Sequence, residues 1–97
     1  MTEKDERASQ DGAGHRARLR QRLAEGGEGL LDHELIEYLL ALAIPRRDTK
    51  PLARLLLREF GGIGGLMADW QAIVRVPGMG DISVAAIKIV QATALRM

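Results

Sequence analysis

The stretch VPGMGD, residues 76–81, decides the fold, because it places a proline and two glycines between two apolar segments of helical pattern. Gly78 and Gly80 can adopt backbone angles that other residues avoid, and so they permit a tight turn between helices. A hydrophobic residue between the glycines is expected to turn inward and hold the turn against the core. The pattern predicts a helix-hairpin-helix element at residues 69–95, with Met79 as its anchor.

The same turn is a candidate phosphate site. Amides on glycines can approach an anion closely, and the unpaired N–H groups of the following helix attract negative charge. Such a contact positions a protein on DNA without reading its bases. Asp81 opposes it, because its carboxylate can cap the helix or repel a phosphate; a purely structural turn is the alternative. The predicted phosphate-binding residues are Gly78, Met79, Gly80, Ser83 and Lys88.

A second candidate site is a line of basic residues on the third predicted helix. Pro51 suits its first turn, and Asp48 or Thr49 can cap it. Cations that recur every four residues lie along one face of a helix. A cationic row of this kind would give salt-sensitive, sequence-independent affinity for DNA, whereas a solvated helix face is the alternative interpretation. The predicted basic patch comprises Arg46, Arg47, Lys50, Arg54 and Arg58.

The remaining periodicity indicates an all-α bundle of five or six short helices, because no segment of useful length alternates with period two. Residues 1–14 are predicted to be a disordered polar tail and residues 15–97 a helical domain. The first helix is expected from His15 to Glu25, and the second from Asp32 to just before Pro45. The predicted core positions lie on the last three long helices: Leu35, Ile36, Leu39, Leu40, Leu42 and Ala43; Leu52, Leu55, Leu56 and Phe60; Ile82, Ala85, Ala86, Ile89 and Val90.

Composition narrows the function classes. The net charge is +1, but from residue 45 onward eight basic residues face four acidic ones. The chain has no cysteine, and His15 and His33 form no pair at metal-ligand spacing. No nucleophile motif or phosphate loop ending in Lys-Ser or Lys-Thr is present. We therefore expect no enzyme activity, no metal and no cofactor. No apolar run is long enough to cross a bilayer, and we expect a cytoplasmic location.

Three stretches carry a family resemblance: GHRARLRQRLAEGG (residues 14–27), LLDHELIEYLLALAIPRRDTKPLARLLLREFGG (residues 30–62) and VPGMGDISVAAIKI (residues 76–89). Together they resemble the N-terminal helical region of the bacterial RadC family, whose members have been described as DNA repair proteins. The string IPRRDTKP is its most specific part. The resemblance implies a helix-hairpin-helix element followed by a zinc-binding JAB/MPN-type domain, and the ligands of that second domain are not found in these residues.

These observations predict a non-catalytic module that binds double-stranded DNA weakly and without sequence preference. The alternative is a protein-interaction or scaffold module that packs on a partner or on a C-terminal domain. The basic second half favours DNA, whereas Asp81 and the near-neutral total charge favour protein. The sequence does not determine the oligomeric state.

Overall fold

A computed structural model describes the backbone of residues 3–68 and 70–97 and the side chains of residues 14–68 and 71–97. This part of the chain forms helices and no strands, which confirms the all-α prediction. The chain divides into two units, Met1–Leu31 and Asp32–Met97. The helices are α1 (Glu3–Ala24), α2 (Asp32–Ala43), α3 (Lys50–Phe60), α4 (Ile63–Ala68), α5 (Trp70–Ile73) and α6 (Asp81–Leu95).

The first unit contains α1, which begins twelve residues before the predicted start at His15. Residues 3–14, expected in a polar tail, are therefore helical in backbone; Met1 and Thr2 lie outside the described residues. Glu, Lys, Arg and Ala in this segment have high helix propensity, and this accounts for the extension. The helix ends as predicted at a glycine pair, where the Gly27 amide donates to the Arg22 carbonyl at 3.0 Å.

The second unit has one apolar core to which α2, α3, α4, α5 and α6 contribute. Leu52 and Leu56 of α3 are buried, as predicted, while Leu55 and Phe60 are half-buried and pack against the same core. Burial of such side chains is the main term that stabilises a domain of this size. The side chains with no exposed surface at the centre of this core are Leu40, Ala53, Leu56, Leu66, Ile73 and Ile87.

The predicted inward face of α6 is wrong. Ile82 and Ile89 are 65% and 64% exposed, and the buried positions are Ser83, Val84 and Ile87. Ten of the fifteen residues of this helix are apolar and they surround it, so periodicity alone does not determine which side is buried. Of the other residues predicted to face inward, Ala85 and Val90 are exposed and Ala86 is half-buried.

The predicted face of α2 is partly wrong for a different reason. Ile36 and Leu40 are buried as expected, but Leu35 and Leu42 are largely exposed. Glu37 is buried instead, and its carbonyl accepts a hydrogen bond of 2.7 Å from the buried Thr49 hydroxyl. Charged side chains are rarely buried, so the residue type of Glu37 predicts an exposed position.

The start of α3 is fixed by the same threonine and by its neighbour. Thr49 occupies the N-cap position but makes no side-chain capping bond, since its hydroxyl joins α3 to α2. The carboxylate of Asp48 accepts the Lys50 amide at 3.1 Å and thereby satisfies one amide of the first helical turn. The basic segment before α3 is thus held against the core of this unit.

Candidate nucleic-acid interface

The turn between α5 and α6 packs on the core through Met79. Its side chain is half-buried against the apolar cluster, as predicted, and its amide donates to the Val76 carbonyl at 3.1 Å. Asp69, the first residue of the predicted helix-hairpin-helix element, lies outside the described residues. The short α5, the turn and the long α6 follow the predicted order, and a helix-hairpin-helix motif as such stays a prediction.

The two glycines of the turn differ in backbone conformation. Gly78 has a φ of +95°, in the left-handed region that favours glycine. Gly80 has φ −103° and ψ −178°, an extended conformation that any residue adopts, and no atom lies within 4 Å of where its Cβ would be. Only Gly78 is required by the geometry, so the expectation of special backbone angles holds for one glycine of the pair.

Ser83 closes the turn from within α6. Its buried hydroxyl accepts the Gly80 amide at 2.9 Å and donates to the Gly80 carbonyl at 3.0 Å. The amides of Met79 and Gly80, two of the predicted phosphate donors, therefore bond to the protein itself. What α6 offers an anion is its first-turn amides at Asp81 and Ile82, because its N-cap, Gly80, supplies no side-chain acceptor.

Asp81 occupies the first position of α6 rather than its cap. Its carboxylate is exposed and makes no capping bond, so the predicted capping role is not observed. A negative charge at this position is favourable for the helix and unfavourable for an anion bound beside it. Asp81 was predicted either to cap α6 or to repel a phosphate. Since it does not cap the helix, electrostatic repulsion is the remaining effect.

Arg47 brings the two predicted sites together. One guanidinium nitrogen, Nη1, donates to the Gly78 carbonyl at 2.8 Å, although the two residues are 31 positions apart. Its other terminal nitrogen, Nη2, lies 2.8 Å from where a Cβ on Gly78 would be. The missing side chain of Gly78 thus gives the guanidinium room to lie on the turn. Both residues line a shallow depression together with the Gly80, Asp81 and Ser83 segment at the start of α6.

The basic face of α3 continues from this point. Arg54 and Arg58 are exposed and lie one and two turns beyond Lys50, which is half-buried. Successive members of this row drift by about 40° around the helix, so they remain on one side. Arg46, just before the helix, is exposed as well. Of the predicted basic patch, Arg46, Arg47, Arg54 and Arg58 are therefore exposed, and Arg47 joins the segment before α3 to the turn.

The flank of α3 beside this row carries mixed charge. Leu55 and Glu59 line a shallow depression with Arg75 and Pro77, on the segment that leads into the turn. Glu59 partly offsets the cations nearby. Lys88, predicted as a phosphate contact, is half-buried and lines another depression with Met79 and Asp81. It lies two turns into α6, on the far side of Asp81 from Arg47.

Among the described side chains, no three residues of the types His, Asp and Glu come together in a way that could hold a metal ion. Within the part of the chain that the structure describes, none of the helices combines the length and the apolar character that a membrane span requires.

The basic patch and the turn were identified from the sequence, but the contact between Arg47 and Gly78 was not. Nothing in the local pattern indicates that Arg47 and Gly78 meet, because their contact depends on how α3 packs against the α5–α6 turn. The hydrogen bond from the Gly80 amide to Ser83 was also missed. The signal for that was present, since a serine three residues after the residue that caps a helix is placed to reach back to it.

The chain is similar over most of its length to two UPF0758 proteins. The chain is 45% identical over 85 residues to a UPF0758 protein of Ruegeria pomeroyi, an alignment that covers 86% of this chain. It is 46% identical over 81 residues to a UPF0758 protein of Rhodobacter capsulatus. The chain spans 38% of the length of each of these relatives. No protein-family model and no solved structure matches it.

Proposed function

We propose that this chain is the N-terminal helical region of a RadC-like protein and that it binds double-stranded DNA without sequence preference. The binding surface comprises the outer face of α3, the Arg46–Arg47 segment and the start of α6. The proposal assigns no catalysis to these residues. Similarity to the UPF0758 proteins supports the first part of it, and the charge distribution described above supports the second.

The observation that carries the proposal is the Arg47–Gly78 contact, which joins the basic segment before α3 to the α5–α6 turn. A DNA backbone presents a phosphate about every 7 Å along each strand, and successive cations on α3 are about 6 Å apart along the helix axis. Arg54 and Arg58 are exposed and suited to adjacent phosphates. The Arg47 guanidinium, with the first amides of α6 beside it, is suited to another.

The structure also changes which groups we assign to the phosphate at the turn. Ser83 and the amides of Met79 and Gly80 serve the internal geometry of the turn, as their hydrogen bonds indicate. Arg47 and the amides of Asp81 and Ile82 are the better candidates for direct contact. Asp81 weakens this contact, and affinity is therefore expected to rest mainly on α3.

A salt titration tests the proposal. Labelled duplexes of about 20 base pairs, with two unrelated sequences, are titrated with the 97-residue chain and followed by fluorescence anisotropy. With three phosphates neutralised, the logarithm of the affinity should fall with a slope of about −3 against log salt, or about 50-fold between 50 and 200 mM. Both sequences should bind equally well. Absence of binding at the lowest salt, or a strong preference for one duplex, would overturn the proposal.

Variants at the turn test the assigned contacts. Arg47→Ala should reduce the salt slope by about one and weaken binding more than Arg46→Ala, which removes the same charge but no contact with Gly78. Asp81→Asn should tighten binding by about threefold, since it removes a charge beside the phosphate. Equal effects of the two arginine variants, together with no effect of Asp81→Asn, would remove the turn from the DNA surface.

A second function is favoured by a separate observation. The side of α6 opposite the core is apolar and exposed, which is typical of a protein-interaction surface and not of a DNA surface. The two surfaces overlap only at the start of α6.

A further inference from the structure

The exposed side of α6 has the residue spacing of a helix-pairing seam. Four apolar residues follow one another at intervals of three and four, and a fifth residue at the same spacing is charged. At about 100° per residue these positions share one side of the helix, opposite the buried Ser83, Val84 and Ile87. We call this set the α6 stripe, and its members are Ile82, Ala85, Ile89, Ala92 and Arg96.

The chemistry of the α6 stripe indicates a partner that is itself an apolar helix. The two isoleucines are nearly two-thirds exposed, and the two alanines are also exposed. Burying a large aliphatic side chain is worth about 1.5–3 kcal/mol, so leaving both in water is costly. Alternation of a large and a small residue lets two helices approach closely, with each isoleucine entering the space beside an alanine.

The charges at the two ends of the α6 stripe favour a second copy of this helix as the partner, in antiparallel orientation. Asp81 lies at the start of α6 and Arg96 at its end, and both are exposed. In an antiparallel pair of identical helices, each Arg96 reaches toward the partner's Asp81, whereas a parallel pair would bring like charges together. A symmetric pair also repeats the same contact twice, as two-fold dimers do.

We propose that the α6 stripe pairs antiparallel with the α6 stripe of a second copy of this chain. In the register that best alternates large and small residues, Ile82 lies opposite the partner subunit's Ala92 and Ala85 opposite the partner subunit's Ile89. Four such layers bury less surface than a stable dimer needs, so association is weak and concentration-dependent. This surface shares only the start of α6 with the proposed DNA surface, and the inference does not rest on DNA binding.

Sedimentation equilibrium tests the association. Between about 10 µM and about 1 mM, a range suited to a small interface, the mass of the 97-residue chain should rise from 10.6 kDa toward twice that value. Ile89→Asp should keep it monomeric, whereas Leu42→Asp, at a similarly exposed leucine on α2, should not. Circular dichroism checks that both variants fold. A monomer at every concentration, or equal effects of the two variants, would overturn the proposal.

Charge exchange and cross-linking test the direction. Asp81→Arg should weaken the dimer, and Asp81→Arg combined with Arg96→Asp should restore it. The chain lacks cysteine, so single Ala85→Cys and Ile89→Cys variants can be mixed and oxidised. Antiparallel pairing predicts that the mixed disulfide dominates over either self-disulfide. Preferential self-disulfides, or no restoration by the charge exchange, would contradict antiparallel pairing.

Discussion

Helices α3 and α6 contribute to the same core, but the outer face of α3 is charged and the outer face of α6 is apolar. On α3 the buried leucines and the exposed cations are cleanly separated, with Arg54 and Arg58 in solvent. On α6 the core-facing side and the solvent-facing side are both apolar. Burial alone therefore identifies both as core helices, whereas their outer faces lead to two different proposals: a nucleic-acid partner for α3 and a second helix for α6.

The largest expected effects on stability come from residues of α3 and α6 that are buried in their shared core. Leu56→Ala on α3 and Ile87→Ala on α6 should each lower the free energy of unfolding by about 2–5 kcal/mol, because both side chains are fully buried. Ile82→Ala, on the exposed side of α6, should cost less than about 1 kcal/mol. Urea denaturation measures all three. If Ile82→Ala cost as much as Ile87→Ala, α6 would present to the core the side that its sequence first suggested.

The next effect concerns how α3 is tied to α2. Thr49→Val keeps the shape of the side chain but removes the buried hydrogen bond to the Glu37 carbonyl. The Glu37 carbonyl keeps its bond within α2, so the loss of the buried threonine bond should cost about 1–1.5 kcal/mol of stability. Thr93→Val is the matched control on α6, since the Thr93 hydroxyl bonds to the Ile89 carbonyl on an exposed surface. Thermal unfolding should separate the two variants; equal shifts would mean that the Thr49 bond does not anchor α3.

The smallest effect distinguishes the two glycines of the turn before α6. Gly78→Ser should cost about 1–2 kcal/mol, because a side chain is strained at positive φ. Here it would also meet the Arg47 guanidinium. Gly80→Ser should lie within about 0.5 kcal/mol of the parent or be slightly stabilising, since serine is a good N-cap residue in extended conformation. The two variants are compared by urea denaturation, and a larger cost at Gly80 than at Gly78 would contradict this description of the turn.

The sequence predicted most of α3 and much less of α6, for physical reasons. On α3, apolar and charged residues recur on opposite sides with the helical period, so the buried side can be identified from the sequence. Leu52 and Leu56 lie on the apolar side, and Arg54 and Arg58 lie on the charged side. The apolar positions of α6 surround the helix, and the buried side is selected by packing and by the Ser83–Gly80 hydrogen bonds. The turn residues and basic patch were also predicted, whereas their connection through Arg47 depends on tertiary packing.

Charge reversal on α3 is the most direct test of DNA binding by its outer face. The double variant Arg54→Glu, Arg58→Glu should lose at least about tenfold in affinity for a short duplex at low salt, because two phosphate contacts become repulsive. Arg18→Glu, Arg22→Glu changes the net charge equally at exposed positions of α1. Fluorescence anisotropy should show a much smaller loss for this second variant. Equal losses in the two variants, or none on α3, would contradict a DNA surface on that helix.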